Sequence, residues 1–253
     1  MDPLAFVTSL AREAGALLRE RLAEPREIVQ KRRHDLVTDA DRASEELIVG
    51  RIRAAYPNAS ILGEESGAFT GTGDERFIVD PLDGTTNYAH GYPLFCVSIA
   101  YERGGRLEAG AVFAPLLDTL FAARRGGGAT RDGAPIHVSS IDDVDRALVC
   151  TGFHPDDYPR NGAQFALISQ HAQAVRRDGS AALDLAFVAA GIYDAFWEFD
   201  LSAWDIAAGA LLIEEAGGRI GALAGGALDL IDGSVLGSNG KLHASLQALL
   251  ATA

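Results

Sequence analysis

The sequence predicts a mixed, layered protein of the α+β and α/β kind, and three observations predict it. Short β-like runs crowd the first half with brief turns between them, which favours antiparallel pairing. Beyond residue 140, strand-like and helix-like runs alternate. No Pro/Ser-rich linker or charge run separates the halves of the 253 residues, and 48% of them are hydrophobic, enough for a sizeable core. We therefore expect one unit over 1–253, with an antiparallel α+β half (1–140) packed closely on an alternating α/β half (141–253).

Asp2 is a plausible N-cap with Pro3 at the first helical position. Behind it Leu4, Val7, Leu10, Ala14, Leu17 and Leu18 recur at helical spacing, so residues 3–22 should be an amphipathic helix. A second helix should start near Thr38 or Asp39 and bury Ala43, Leu47, Ile48 and Ile52. Strands are expected at Ser60 to Leu62, Phe77 to Val79, Phe95 to Tyr101, Leu107 to Phe113 and Thr119 to Ala123. Gly126-Gly127-Gly128 lacks the Lys-Ser/Thr of a nucleotide loop and, with Asp132-Gly133 beyond it, reads as a hairpin region. In the second half, Ala147 to Thr151 and Ile192 to Phe199 read as strands. Phe165 to Val175, Ser180 to Ala190 and Ala203 to Ala216 read as helices, the last ending at Gly217-Gly218.

With 35 acidic against 22 basic residues, the formal charge is −13. That balance argues against nucleic acid and anionic membranes, which are bound through excess Lys and Arg. It leaves open a small phosphate ester held through cations. Cys96 and Cys150 sit in apolar runs, far apart, and read as buried small hydrophobes rather than a zinc site or disulfide. The N-terminus lacks a basic region followed by an apolar core, and no apolar run is long enough to span a bilayer, so a cytoplasmic protein is expected.

The central chemical signal is Phe77-Ile78-Val79-Asp80-Pro81-Leu82-Asp83-Gly84-Thr85-Thr86-Asn87. A buried strand should deliver Asp80 at its end, and Pro81, with no N–H to donate, should stop the sheet ladder. Asp83 follows on the turn, and Gly84 lets the backbone approach a ligand closely. Thr85-Thr86-Asn87 look like a first helical turn whose free N–H groups can hold an anion. Two carboxylates on one turn suit hard divalent cations, although Asp-x-x-Asp-Gly taken alone favours a merely capped turn. Gly63-Glu64-Glu65-Ser66 puts further carboxylates at a strand end. Trp204-Asp205-Ile206-Ala207-Ala208-Gly209 starts a helix whose small residues permit close packing.

As an ordered set these three segments resemble the signatures of the inositol monophosphatase family. Lys31 with Asp35-Leu36-Val37-Thr38-Asp39-Ala40-Asp41, and Gly179-Ser180-Ala181-Ala182-Leu183-Asp184, are similar to two further family segments, and the likeness continues to Lys241-Leu242-His243. The resemblance implies a layered αβαβα sandwich related to fructose-1,6-bisphosphatase, and a phosphoric monoester hydrolase that is Mg²⁺-dependent and Li⁺-sensitive. By the same resemblance Glu64, Asp80 and the Leu82 carbonyl bind one Mg²⁺, and Asp80, Asp83 and Asp205 a second. A third, weaker ion shares Glu64, giving two to three ions per site. Asp41, Glu64 and Thr85 are the implied catalytic residues, Thr85 with Asp41 handling the attacking water. The implied substrate shell is Glu64, Asp83, Gly84, Thr85, Gly179, Ser180, Ala181, Glu198 and Asp205, with Glu198 on the alcohol hydroxyls. A homodimer is expected.

Bacterial members often have Lys-Pro before Trp-Asp where this chain has Ser202-Ala203, and an Arg where it has Ile192. Those changes bear on the substrate and leave the metal set intact. A small polyol or sugar phosphate, above all inositol monophosphate, is the expected substrate. The alternatives are fructose-1,6-bisphosphate, histidinol phosphate and adenosine 3′,5′-bisphosphate; a role as a partner of the transcription machinery is the alternative of a different class. His34 reads as a solvated loop residue or a phosphate-steering one, His154 as a surface or substrate-loop residue, Phe196 and Trp197 as packing, and Arg176-Arg177 as a subunit-interface or second-phosphate pair.

Overall fold

The computed structural model describes residues 1–24, 28–32, 35–153 and 158–253. In chain order the elements of the first half are α1 (Pro3–Leu22), β1 (Ile28–Arg32), β2 (Asp35–Thr38), α2 (Asp39–Ala55), β3 (Ser60–Gly63), β4 (Gly67–Phe69), β5 (Glu75–Asp83), α3 (Thr85–His90), β6 (Cys96–Arg103), β7 (Arg106–Ala114), β8 (Thr119–Arg124), β9 (Gly128–Arg131) and β10 (Ala134–Ile136). The second half holds β11 (Leu148–Thr151), α4 (Tyr158–His171), β12 (Ala174–Arg176), α5 (Ala181–Ala189), β13 (Ala195–Glu198), α6 (Ala203–Glu215), β14 (Arg219–Ala222), β15 (Val235–Ser238) and α7 (His243–Leu250).

Eight strands form one sheet in the order β10-β9-β8-β7-β6-β5-β3-β4, antiparallel apart from β3 beside β5. Five form a second sheet, β12-β11-β13-β15-β14; β11 runs parallel to both neighbours and β15 antiparallel to both of its own. Helices α1 and α2 cover the outer face of the large sheet, α5 and α6 lie between the sheets, and α4 and α7 pack together on the far side of the small one. This is the αβαβα layering expected from the resemblance.

Strand periodicity decides which layer each side chain enters. On β6, Val97, Ile99 and Tyr101 face α1 and α2, while Cys96 and Ala100 face α5 and α6. On β5, Phe77 and Val79 take the first face and Ile78 the second. Asp80, two residues beyond Ile78, therefore points toward α6. By simple alternation Asp83 would point the opposite way. It does not, because the ladder slips between them: Asp80 pairs with Ser98 and Asp83 with Cys96, so two residues of β5 oppose one of β6. This bulge turns Leu82 into the α1/α2 layer and returns Asp83 to the α6 side. Pro81 was expected to end the strand; instead the strand runs through to Asp83, and the missing N–H falls in the irregular step.

Helix α1 begins as expected, with the Asp2 carboxylate accepting from Ala5 N and Val7, Leu10, Ala14 and Leu18 buried. Asp132 and Gly133 turn the β9–β10 hairpin with φ of 51° and 81°, and the three glycines join β8 to β9. One helix differs from expectation: the pattern predicts a helix from Phe165 to Val175, whereas α4 starts at Tyr158 and stops at His171, and Ala174–Arg176 forms edge strand β12. The apolar residues there suit either state, and pairing with β11 decides for the strand. Strand β13 is also shorter than expected, Ala195–Glu198. His34 and His154 lie outside the described residues.

Candidate active site and metal centre

Asp80 and Asp83 come from the bulged end of β5 and Asp205 from the first turn of α6. One carboxylate oxygen from each lies within 4.8 Å of the others. Asp80 is 1% and Asp83 8% exposed. Each is clamped by a backbone donor: Asp80 Oδ1 accepts from Leu82 N at 2.9 Å, Asp83 Oδ2 from Ala182 N at 2.8 Å, and Asp205 Oδ2 from Ser202 N at 2.7 Å. Ser180 Oγ adds a 2.7 Å bond to Asp83 Oδ2, and the Cys96 thiol reaches the same oxygen at 3.6 Å. Ser98 Oγ donates to the Trp204 carbonyl at 3.2 Å and so ties β6 to the start of α6. Donors therefore orient the cluster, with the N-terminal ends of α5 and α6 directed at it.

Burial and mutual repulsion set the electrostatics. Asp80 is pushed well above the ordinary carboxylate range by burial first, then by the charges of Glu64, Asp83 and Asp205. Burial raises Asp83 against the pull of its Ser180 and Ala182 donors, and burial with the Asp83 charge lifts Asp205 to about 7. Such a set is unfavourable as bare anions and is made of hard oxygen donors alone. It fits a hard divalent cation.

Stability should follow from this. Carboxylates whose pKa rises on folding bind protons more tightly in the native state, so stability falls as pH climbs from about 4, the unfolded value, to about 7, that of Asp205. His243, held down to about 4 by burial, contributes with the opposite sign over much of that window. The comparison that cancels His243 is the melting temperature with and without Mg²⁺ at each pH. We expect the Mg²⁺-induced rise to grow from pH 5 to about 7.5 (the upper limit lying just above the Asp205 value). A rise independent of pH would show that the ion does not replace protons at these carboxylates.

Around the cluster stand the other predicted residues. Asp41, fully buried, accepts from Thr38 N at 2.8 Å and Thr38 Oγ1 at 2.5 Å, a capping box that opens α2. Its other oxygen accepts from Thr85 Oγ1 at 3.0 Å, and Thr85 Oγ1 also lies 3.2 Å from the Leu82 carbonyl. Gly84 holds φ of 92°, and a Cβ there would lie 3.1 Å from the Leu94 carbonyl and 3.2 Å from that of Gly179. The glycine thus brings the N-terminus of α3 against the 179–181 segment. Asn87 fastens the same junction, its Nδ2 donating to the carbonyls of Leu94 (2.5 Å) and Asp178 (2.7 Å). Glu64 follows β3, where Gly63 has no room for a side chain: a Cβ would sit 2.2 Å from Glu45 Oε1. Glu198, at the end of β13, lies against Gly152; burial and the charges of Asp205 and Asp83 raise its pKa well above the usual range, opposed by Arg177.

The structure gathers these residues around the end of β5, with Asp41 and Leu82 on the α1/α2 side and Ser180, Asp205 and Glu198 on the side of α5, α6 and the small sheet. Cys96 and Cys150 are free and buried in the core, as expected; Cys96 also contacts Asp83 and Ser180, and Cys150 stands near Asp178 and Asp184. Thr38, expected as a helix start, also carried a legible capping signal, Thr-x-x-Asp before a helix. Ser44, donating to the Pro81 carbonyl at 2.8 Å, and Glu45, accepting from Glu65 N at 3.1 Å, carried none, because their partners are distant in the chain.

Comparison with known proteins gives the family. The model of the inositol monophosphatase family matches residues 2–253. The Nus factor SuhB of Pseudomonas aeruginosa is 43% identical, the match covering 97% of this chain and 95% of that protein. The inositol-1-monophosphatase of Synechocystis is 41% identical, covering 98% and 89%. Among solved structures, the inositol monophosphatase from Anabaena superposes with a TM-score of 0.89 at 40% identity, covering 98% of this chain and 95% of that one.

Proposed function

Since this chain belongs to the inositol monophosphatase family, we propose that it hydrolyses small polyol or sugar phosphate monoesters, inositol monophosphate first, with Mg²⁺. The observation that carries the reading is the buried Asp80–Asp83–Asp205 cluster beside the Thr85–Asp41 hydrogen bond. Glu64, Asp80, the Leu82 carbonyl, Asp83 and Asp205 would hold two to three Mg²⁺, whose chemistry when bound is to neutralise the phosphate and make water more acidic. Thr85 Oγ1 donates to Asp41 and keeps lone pairs for a water O–H, so a proton released there can pass through the hydroxyl to the carboxylate. Burial raises the pKa of Asp41, which makes it a better acceptor than an exposed Asp. The N–H groups of Gly84 and Thr85, at the start of α3, would donate to phosphate oxygens.

A panel of phosphate esters assayed with and without Mg²⁺ tests the function; release of phosphate from none of them, by a folded protein, would end it. Glu198 is assigned to the alcohol. Glu198→Gln should chiefly raise KM, by about tenfold, for inositol phosphate, since loss of a charged hydrogen bond costs about 1.5 kcal/mol or more. An aryl phosphate without neighbouring hydroxyls should scarcely notice it. Equal damage to both substrates would move Glu198 out of alcohol recognition. Li⁺ should inhibit at millimolar concentration by taking the position where Asp83 and Asp205 contribute; unchanged activity with normal Mg²⁺ dependence would refute that assignment. The proposal extends to a homodimer in the cytoplasm, and among the described residues no helix is long and apolar enough to cross a membrane. The Nus factor relative supports a second reading, association with the transcription machinery. Turnover by the isolated protein separates catalysis from that role.

A further inference from the structure

Behind the 179–181 segment lies a second cluster of potential ligands. The Cys150 thiol on β11, a carboxylate oxygen of Asp178 before α5 and one of Asp184 in the first turn of α5 lie within 4.8 Å of one another. Cys150 is fully buried and Asp184 is 1% exposed; the Cys150 thiol is the hydrogen-bond partner of the Asp184 carboxylate, whose Oδ1 has no further one. An orphan carboxylate oxygen at such depth is costly and calls for a cation or donor. Asp178 is steadied from behind: the Tyr193 hydroxyl donates to its Oδ2. That arrangement, an outer donor fixing a carboxylate ligand, is typical of metal sites. Asp178 is only partly buried, which leaves a way in.

We propose that Cys150, Asp178 and Asp184 form a second cation site, selective for a thiophilic divalent ion of the Zn²⁺ class. One sulfur and two carboxylates leave a fourth position open, and sulfur discriminates against Mg²⁺, which the all-oxygen cluster favours. Binding releases the thiol proton to solvent and forms the thiolate–metal bond, with no change of oxidation state. The charges of Asp83 and Glu198 reach Asp184 and favour a cation there. An ion in this place ties β11 and α5 to Asp178, one residue before Gly179 and two before Ser180, which holds Asp83. It would thus stiffen the segment assigned to substrate.

The test titrates the full-length protein with Co²⁺ and Zn²⁺ while saturating Mg²⁺ occupies the oxygen-only cluster. Wild type should show an intense thiolate-to-Co²⁺ charge-transfer band and retain one more Zn²⁺ per chain than Cys150→Ala. Cys150→Ala is a small change in a packed site, and circular dichroism checks that it folds. Tyr193→Phe, which keeps the ring and the thiol, should keep the band while weakening Zn²⁺ about 10- to 100-fold. Equal Zn²⁺ retention by wild type and Cys150→Ala, or a band that survives in Cys150→Ala, overturns the proposal. None of these readouts depends on turnover, so failure here and failure of the phosphatase reading are distinguishable.

Discussion

Asp80→Asn is expected to lower turnover of every phosphate ester by a factor on the order of 10³ or more, the scale on which removal of one preorganised charge-stabilising group acts. Asp80 is the most enclosed of the three clustered carboxylates, and its pKa is raised by burial and by the charges of Glu64, Asp83 and Asp205. In the proposed site its carboxylate would help hold the cations and neutralise their charge, and an amide supplies neither the charge nor the second anionic oxygen. The same substitution should leave the metal-free protein at least as stable as wild type, because one of several crowded like charges is gone. Its melting temperature should respond less to Mg²⁺. Activity loss, an unchanged or higher metal-free melting temperature and a smaller Mg²⁺ response together distinguish a lost ligand from a damaged fold. Near-normal turnover at saturating Mg²⁺ would sink the assignment of Asp80 as a ligand.

Thr85→Ala should lower kcat by about 10²- to 10⁴-fold, the range for loss of a positioned proton-transfer group. The effect should be equal for inositol phosphate and an aryl phosphate, since both use the same water, and KM should barely change. Thr85→Ser keeps the hydroxyl that reaches Asp41 at 3.0 Å and should restore most of the rate. Asp41 retains both Thr38 bonds in either variant, so the structural cost should stay near 1 kcal/mol. A loss that depended on the leaving alcohol would place Thr85 in substrate recognition. Failure of Thr85→Ser to rescue would point to packing instead.

The sequence by itself determined the elements whose signals are local and repeated: α1 from its cap and apolar spacing, the start of α2 at Thr38, the strand run before Asp80 and the helix opening at Trp204-Asp205. Its ordered acidic segments also pointed to the side chains on which the proposed chemistry rests. Short elements such as β4, β12, β14 and α7 were misread or passed over, because a few residues bear too little periodicity to declare themselves before their partners are known. Only the tertiary structure decided how the carboxylates meet. The bulge between Asp80 and Asp83 depends on pairing with Ser98 and Cys96, and it sets both acids on the face toward α6. Asp205 reaches them because α6 packs between the sheets, while Ser180 and Ala182 lock Asp83 from α5. The same packing chose the polar neighbours of Cys96 and Cys150. Residue type and spacing report what a side chain can do; burial and neighbours far along the chain decide its protonation, its orientation and whether it meets a ligand or the core.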